Sequence, residues 1–383
     1  MPHWTVHLDG GPRRVNHAAA LVGSQIYLFG GYCTGGDYHA LIPIDVYVLD
    51  TVLLRWKKLP CASKEEITKC VPYLRYGHSV VNYEGTIYLW GGRNDNHGAC
   101  NNVFSYDTQT LKWSRPHTKG DKPGGRDGHS ACLIGDLMYI FGGFEDGMMQ
   151  CYANTVYSLD LTLMVWTYVM AKGEIPHWRD FHTATAHRHQ MIVFGGRADK
   201  SGPHYTNQEF YCNKLQVFDT QTKVWSSPPT TGDVPIGRRS HSAFIYRGNL
   251  YIFGGYNDLI KTHFNDLYRL DLSNYEWSKV TTFGETPCNR RRQCCIVVQD
   301  QVILFGGTSP KAKTIPGGSD DVNLMDLADL HILDFAPTLK TLCKVAAVRY
   351  QLDTTCLPLD IRWELKSMTT NSNISQPLEM AQG

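Results

Sequence analysis

Short runs of alternating apolar and polar residues, each ending in a turn or a Gly-Gly pair, recur along the chain. One such stretch runs from His78 to Tyr83, continues through Glu84-Gly85, and returns from Thr86 to Trp90. Alternation with a period of two is typical of strands, and a two-residue turn containing Gly predicts a β-hairpin. The runs Val103 to Asp107 and Leu111 to Ser114 predict a third and a fourth antiparallel strand.

This unit occurs six times, because three features keep nearly constant offsets. Gly-Gly pairs that follow an apolar run begin at positions 51 to 61 residues apart: Gly30, Gly91, Gly142, Gly195, Gly254 and Gly306. An Arg-x-x-His motif precedes five of them, as Arg14/His17, Arg75/His78, Arg126/His129, Arg179/His182 and Arg238/His241, and we align the sixth copy as Arg291 to Cys294. An Asp and a Trp lie six residues apart in five copies: Asp50/Trp56, Asp107/Trp113, Asp160/Trp166, Asp219/Trp225 and Asp271/Trp277. Such offsets indicate one repeat architecture.

Four antiparallel strands repeated at about fifty residues resemble the kelch repeat, which implies a β-propeller. The sixth unit has a third strand, Asp329 to Asp334, but Lys340 stands where the Trp of a fourth strand is expected. Trp4 to Leu8 resembles that missing strand, and pairing it into the last blade would remove two open sheet edges. We therefore expect an all-β fold, a six-bladed kelch propeller over residues 1–336 that is closed by the N-terminal strand and followed by a short α-helical segment.

Residues shared by all repeats are expected to be structural, so a binding site should lie where the repeats differ. Positions inside Arg-x-x-His and directly after Gly-Gly belong to the same end of an antiparallel pair, and they should converge on one face of the ring. Guanidinium groups in a concave site suit a carboxylate or a phosphate, although long Arg side chains could also simply decorate loops. The candidate binding residues on this face are Tyr76, Arg93, Phe181, Arg197, Arg239, Ser240, Tyr256 and Arg292.

Composition and charge narrow the classes of function. The 383 residues include 37 Lys+Arg and 36 Asp+Glu, giving a formal net charge of +1, which does not favour nucleic-acid binding. The chain begins without an apolar signal peptide and has no run of roughly 18 apolar residues, so no membrane association is expected. The 12 cysteines form no Cys-x-x-Cys pair, which is typical of reduced thiols in a cytosolic or nuclear protein.

Motifs that would indicate chemistry are missing from the sequence. The chain has no paired His motif for a metal ion, no Gly-x-Ser-x-Gly nucleophile elbow and no phosphate-binding Gly-Lys-Ser/Thr loop. We therefore expect a protein that is not an enzyme and that needs neither a metal ion nor a cofactor.

The character of the chain changes after residue 336. Apolar residues at positions 339, 342, 343, 346, 347 and 350 have the spacing of an amphipathic helix, with Pro337 at its start. Two short motifs in this segment each resemble a known binding motif. Leu339, Cys343 and Ala347 resemble an elongin-C-binding box, and Pro358, Ile361 and Leu365 resemble a cullin-2 box. The two boxes, in this order, define a helical segment expected over residues 337–366.

The repeats and the two boxes together resemble the kelch-domain substrate receptors of cullin-2 RING ubiquitin ligases. This resemblance implies a non-catalytic subunit that binds elongin B/C, cullin-2 and a RING-box protein. It also implies that the propeller binds proteins with a C-terminal Gly degron, and that Arg197 stands where a related receptor has a carboxylate-binding arginine. The alternative is a chromatin-associated kelch module, since a kelch propeller also occurs in the recombination-activating machinery.

Residues 367–383 are expected to form a flexible tail, because they are polar and lack hydrophobic periodicity. The tail ends in Gln382-Gly383 and so resembles a Gly-ended substrate. Gly383 is therefore a candidate pseudo-substrate through which the protein could self-associate. The alternative is a tail that is simply disordered.

Overall fold

Six sheets, each containing four long antiparallel strands, make up most of the structure, a computed structural model that describes residues 1–36, 40–67, 69–146, 150–311 and 324–374. We call these sheets blades 1 to 6 and give their strands from the innermost to the outermost. Blade 1 contains Ala18–Val22, Gln25–Phe29, Val46–Asp50 and Arg55–Lys58; blade 2 contains Tyr76–Tyr83, Thr86–Asn94, Val103–Asp107 and Lys112–Ser114; blade 3 contains Ser130–Ile134, Leu137–Phe141, Val156–Asp160 and Val165–Val169. Blade 4 contains Thr183–His187, Gln190–Phe194, Gln216–Asp219 and Val224–Ser226; blade 5 contains Ser242–Tyr246, Asn249–Phe253, Leu267–Asp271 and Glu276–Lys279; blade 6 contains Cys294–Val298, Gln301–Phe305, Leu330–Asp334 and His3–Leu8.

Shorter strands extend these blades. Lys119–Gly120, Lys172–Gly173 and Thr231–Gly232 pair in parallel with the outer strands of blades 3, 4 and 5. The other short strands form small sheets beside the Gly-Gly pairs: Gly98–Ala99 on Thr86–Asn94, Arg126–Asp127 with Phe144–Glu145 and Cys151–Tyr152, Arg197–Asp199 with Glu209–Tyr211, Tyr256–Asn257 with Thr262–His263, and Thr308–Pro310 with Leu324–Asp326. They build up the end of the ring that carries the Gly-Gly pairs.

The first hairpin of blade 2 shows how the local sequence determines a blade. Tyr83 pairs with Thr86 across a turn formed by Glu84 and Gly85, whose φ angles are 50° and 81°. Two positive φ angles are what a two-residue hairpin turn requires, and Gly adopts such a conformation without strain. The hairpin predicted from this Glu-Gly pair is confirmed.

A tryptophan from the outer strand of each blade packs on the aromatic residue that precedes Gly-Gly in the preceding blade. The ring centroids lie 4.9 to 5.8 Å apart in the pairs Trp4–Phe253, Trp56–Phe305, Trp113–Phe29, Trp166–Trp90, Trp225–Phe141 and Trp277–Phe194. Aromatic pairs at this separation stabilise the interface beyond the area they bury. In blade 6, Trp4 of the N-terminal strand therefore has the position that Trp56 has in blade 1.

The N-terminal strand belongs to the last blade. His3–Leu8 pairs antiparallel with Leu330–Asp334, and the register shifts between Trp4 and Val6. The inner strands of neighbouring blades contact one another around the whole ring, including blade 6 against blade 1. Because the N-terminal strand pairs with the last strand of the chain, neither strand has a free edge there that could pair with another chain.

The structure corrects the alignment of the sixth repeat. Arg290 Nη1 donates to the carbonyl oxygen of Gly306, 16 residues later, as the motif arginines of blades 2 to 5 do to their own Gly-Gly pairs. Gln293 then has the position of the repeat His, and its Nε2 donates to a carbonyl oxygen of blade 5. The alignment from Arg291 to Cys294 was wrong by one residue, because this copy has Gln293 in place of the His, although the spacing of 16 residues to Gly306 agrees with Arg290.

Three helices occur among the described residues: α1 over Lys64–Ile67, α2 over Leu339–Arg349 and α3 over Leu359–Thr369. Both α2 and α3 contact the N-terminal strand on the outside of blade 6. Within the part of the chain that the structure describes, no helix is long and apolar enough to cross a membrane.

Local interactions determine where α2 begins and how it pairs with α3. Thr338 caps α2, because its Oγ1 accepts a hydrogen bond from the backbone N–H of Thr341 at 3.1 Å. Glu364 of α3 accepts hydrogen bonds of 2.7 Å from both Lys340 and Lys344 of α2. These contacts hold the two helices together as a hairpin.

The segment after α3 differs from the flexible tail expected from residue 367. The helix continues to Thr369, and the N–H groups of Ser372 and Ile374 donate to the carbonyl oxygens of Asp9 and Gly10 over 2.9 Å. A Cβ atom on Gly10 would lie 1.5 Å from the carbonyl oxygen of Ser372, so this approach requires Gly. Residues 367–374 thus belong to the end of α3 and to a segment that is hydrogen-bonded to Asp9 and Gly10. The candidate pseudo-substrate at Gly383 lies outside the described residues.

Replacing Trp4 with Ala tests the contribution of the N-terminal strand. Trp4 is 5% exposed and packs on Phe253, so Trp4→Ala should lower the free energy of unfolding by about 3–5 kcal/mol, as for other buried aromatics. Denaturant unfolding measures this loss. Leu163, which is 69% exposed, provides the control, and Leu163→Ala should change stability by less than about 0.5 kcal/mol. Equal stability of the two variants would contradict the prediction.

Candidate functional site

Six backbone hydrogen bonds form a closed ring around the axis of the propeller. In each blade the residue before the repeat His donates its N–H to the carbonyl oxygen of its equivalent in the neighbouring blade, over 2.7 to 3.3 Å. The six residues are Asn16, Gly77, Gly128, Phe181, Ser240 and Arg292. All have positive φ, between 50° and 69°, which is strained for Phe181, Ser240 and Arg292 and is maintained by the ring.

The repeat histidines support this ring. Together with the ring residues and Gln293 they line a cavity of about 130 Å³. His129 Nε2 lies 2.7 Å from Ser79 Oγ, and His182 Nε2 lies 2.7 Å from Ser130 Oγ, so each imidazole bonds to the preceding blade. Burial and the nearby Arg126 lower the pKa of His129 to about 3, which leaves the imidazole neutral at physiological pH. These histidines are structural.

A second ring of residues surrounds the first. In each blade the residue after the motif arginine pairs with the residue after Gly-Gly: Val15 with Tyr32, Tyr76 with Arg93, Asp127 with Phe144, Asp180 with Arg197, Arg239 with Tyr256, and Arg291 with Thr308. We call the face formed by these twelve residues and the six ring residues the mouth. The structure thus brings all eight candidate binding residues together on one face.

Acidic side chains accompany the arginines of the mouth. Arg197 donates from Nε and Nη2 to the two carboxylate oxygens of Asp180, over 3.1 and 2.6 Å, and Asp180 is 1% exposed. Arg239 Nη1 lies 3.7 Å from Glu209 Oε1. The mouth is therefore mixed in charge, and it is not simply basic as the count of arginines suggested.

Aromatic rings determine how several of these side chains are held. The guanidinium carbons of Arg239 and Arg291 lie 5.5 and 4.2 Å from the ring centre of Tyr256. Because Tyr256 is 0% exposed, it supports the arginines and does not offer its ring to a ligand. Tyr76 donates its hydroxyl to Asp95 over 2.7 Å, which holds this ring at the edge of the mouth.

Asp127 is a buried acid of the mouth that is not among the eight candidate binding residues. Its side chain is 6% exposed, and among the described residues its Oδ1 has no hydrogen-bond partner. Burial and the neighbouring carboxylate of Asp180 raise the pKa of Asp127 to about 7, against the opposing effect of Arg93 and Arg197. Because this pKa is close to neutral pH, a charge that enters the mouth would change the ionisation of Asp127.

One cluster of potential metal ligands lies away from the mouth. His7, Asp329 and His331 offer ligand atoms that all lie within 4.8 Å of one another. Asp329 already accepts hydrogen bonds of 2.8 and 2.6 Å from Arg290. The two imidazole rings stack at 4.3 Å with an angle of 17° between their planes, so their nitrogen lone pairs lie in two nearly parallel planes and do not converge on one ion. We interpret this cluster as a structural ion-pair network.

The residues of the two boxes differ in exposure. Leu339 is 77% exposed, Cys343 is exposed and Ala347 is half-buried. In the second box Pro358 is exposed, Ile361 is half-buried and Leu365 is buried at 7%. Trp363, absent from the predicted set, is 63% exposed on α3. The first box is therefore accessible, whereas Leu365 packs within the protein.

Comparison with known proteins agrees with this architecture. Residues 77–307 match the family described as the KLHDC2/KLHL20/DRC7 Kelch-repeats domain, and residues 13–62 match the Kelch motif. The chain belongs to the kelch-repeat family. The kelch fold class predicted from the repeat spacing is thereby confirmed.

This kelch protein has relatives that match over its whole length. It is 54% identical over 386 residues to Kelch domain-containing protein 3 of Homo sapiens, with 100% of both chains covered, and 54% identical over 385 residues to that of Rattus norvegicus. A more distant relative is Host cell factor 2 of Homo sapiens, 30% identical over 272 residues, which cover 67% of this chain and 33% of that protein.

Replacing Asp127 with Asn tests whether this carboxyl opposes folding. Because the pKa of Asp127 is about 7 in the folded protein and about 4 in the unfolded chain, its ionisation destabilises the fold as the pH rises from about 4 to about 7. Asp127→Asn should therefore stabilise the protein more at pH 8 than at pH 5, as measured by denaturant unfolding. Leu163→Ala, which removes no titratable group from a side chain that is 69% exposed, is the control and should have the same effect at both pH values. An equal effect of Asp127→Asn at both would refute the assignment.

Proposed function

We propose that this kelch protein is the substrate-recognition subunit of a cullin-2 RING ubiquitin ligase. In this proposal the propeller binds the C termini of proteins that end in Gly, and α2 and α3 attach it to elongin B/C, cullin-2 and a RING-box protein. The protein itself has no catalytic role, and the ligase transfers ubiquitin to the bound protein, which is then degraded. The proposal extends the resemblance of the two boxes to those of kelch-domain receptors.

The observation that carries the proposal is the exposure of Leu339 and Cys343 on a helix that is docked to the propeller. Leu339 is 77% exposed, so most of its apolar side chain is in contact with water. A group of exposed apolar side chains on one surface is typical of a protein interface. Six large apolar residues of this region are exposed: Leu339, Val348, Tyr350, Leu352, Leu359 and Trp363. The first box thus presents the residues that an elongin-C-type partner would bind.

The mouth supports the second half of the proposal. Arginine side chains from blades 2, 4, 5 and 6 lie on it, and a free C-terminal carboxylate is a small planar anion that suits guanidinium groups. Arg239 is better placed than Arg197 to bind a ligand carboxylate, since Arg197 is already bonded to Asp180. Tyr256 contributes by holding Arg239.

The cysteines, none of which is paired in a disulfide, support a location in the cytoplasm or the nucleus. All 12 cysteines are free thiols. Both compartments keep thiols reduced, and both contain soluble proteins that carry no disulfides. The proposed ligase would act in one or both of them.

The first box can be tested by replacing Leu339 with Ser and Cys343 with Asp in one protein. The double variant should lose binding to purified elongin B/C, because it places a charge where an apolar pocket is expected. Since both side chains are exposed, the unfolding midpoint should not change. Co-purification from the two expressed components measures the loss.

The control for this experiment is Leu163→Ser, which changes an equally exposed Leu on blade 3 and should leave elongin binding intact. Binding retained by the folded double variant would exclude the box. Recovery of histones without elongin B/C from a cell extract would favour the chromatin-associated alternative.

The mouth can be tested with Arg239→Ala. This variant should weaken binding of a Gly-ended peptide by about 2–5 kcal/mol, the range for truncating one partner of a buried charge pair. Isothermal titration with the free-acid peptide and with its C-terminal amide measures the effect. Arg247→Ala is the matched control, since Arg247 pairs with Asp300 in a turn away from the mouth. Equal affinity of the Arg239 variant and the wild type would show that the carboxylate binds elsewhere.

A further inference from the structure

We propose that Glu209 is an internal carboxylate that occupies the arginine site of the mouth until the C-terminal carboxylate of a substrate displaces it. This inference rests on the proposed function, and it identifies a residue that sets the affinity of the mouth for anions. Glu209 lies in Glu209–Tyr211, which pairs with Arg197–Asp199 so that Glu209 is opposite Asp199. The hairpin formed by these two strands brings Glu209 back over the Gly-Gly end of blade 4.

Glu209 lies between arginines that belong to two blades. Its Oε1 is 3.6 Å from Nη1 of Arg197 in blade 4 and 3.7 Å from Nη1 of Arg239 in blade 5. Its Oε2 accepts a hydrogen bond from the hydroxyl of Tyr211. One carboxylate oxygen thus faces two guanidinium groups, which is where a ligand carboxylate would gain the strongest charge-assisted hydrogen bonds.

The two acids beside Arg197 are held in different ways. Asp180 accepts two hydrogen bonds from Arg197, of 3.1 and 2.6 Å, and its side chain is 2% exposed. The distances from Glu209 to the guanidinium nitrogens exceed the length of a good N–H···O hydrogen bond, about 3.2 Å, and its side chain is 12% exposed. Displacement of Glu209 therefore costs less than displacement of Asp180, which keeps Arg197 oriented while the ligand enters.

A ligand carboxylate and Glu209 cannot share this site in their charged forms without repulsion. The arriving carboxylate must therefore replace the attraction of Glu209 for Arg197 and Arg239 with hydrogen bonds of its own. Glu209 lowers the affinity of the mouth for every free carboxylate by this competition. Only ligands that make further contacts, such as a peptide backbone in the mouth, then bind well.

The test compares wild-type protein with Glu209→Gln, which keeps the acceptor for Tyr211 and removes the charge. An eight-residue peptide ending in Gly should bind Glu209→Gln about tenfold more tightly than wild type, a change of about 1.4 kcal/mol. The same peptide with a C-terminal amide should bind both proteins equally. Isothermal titration at constant ionic strength measures the four affinities.

Three further variants show whether the gain comes from the arginine site. In the Arg239→Ala background, Glu209→Gln should give a much smaller gain, because one of the two guanidinium groups is gone. Glu145→Gln is the matched control, since Glu145 pairs with the motif arginine Arg126 of blade 3 and should not affect peptide affinity. Glu209→Ala should repeat the gain of Glu209→Gln.

The outcomes separate this inference from the proposed function. If wild type binds the free-acid peptide and Glu209→Gln binds it equally or more weakly, the inference is wrong, because Glu209 would then orient the arginines for the ligand. If neither protein binds the peptide, the proposed function fails and the inference fails with it. A gain that is the same for the acid and the amide would also overturn the inference, since no competition between carboxylates would be involved.

Discussion

Closure of the ring is the constraint on which the rest of the structure depends. Six backbone hydrogen bonds join the six blades at the axis, and the last of them, from Asn16 to the carbonyl oxygen of Arg292, joins the first blade to the sixth. Every blade must therefore bring the same backbone atoms to the axis, and each does so with a residue in the left-handed conformation. The outer part of the same closure is the pairing of His3–Leu8 with Leu330–Asp334, which places Trp4 in the aromatic series between the blades.

This repeated frame leaves the mouth free to differ from blade to blade. The backbone pairing of the residue after the motif arginine with the residue after Gly-Gly holds in all six blades, whereas the side chains at these positions change from one blade to the next. The mouth consequently gathers arginines and acids at fixed distances from one another. Asp180 accepts two hydrogen bonds from Arg197, Glu209 accepts one from Tyr211 and lies 3.6 and 3.7 Å from Arg197 and Arg239, and one oxygen of Asp127 has no partner among the described residues. In the proposed binding mode, these three acids, as much as the arginines, would determine which charges the mouth accepts.

The same strand that completes blade 6 also supports the C-terminal helices. Both α2 and α3 contact His3–Leu8, and the segment that follows α3 is hydrogen-bonded to Asp9 and Gly10. The exposed residues of the helices, such as Leu339 and Trp363, therefore have a fixed position relative to the propeller. In the proposed ligase subunit, this attachment would hold a substrate bound at the mouth in a defined orientation toward the partners of the helices.

Repeat spacing and residue type were enough to predict the kelch fold, the hairpin at Glu84-Gly85 and the helix that begins near Leu339, because these depend on local periodicity and on turn chemistry. The spacing also indicated which positions would share one face. The register of the sixth repeat was also contained in the spacing, because only Arg290 lies 16 residues before Gly306, as the motif arginines of the other five copies lie before their Gly-Gly pairs, but the missing His drew the alignment to Cys294. The spacing did not show that Glu209 would lie beside Arg239 or that Leu365 would be buried. Both the pairing of charges across blades and the burial of side chains depend on residues that lie far apart in the chain. Only the closed ring of six blades therefore determines them.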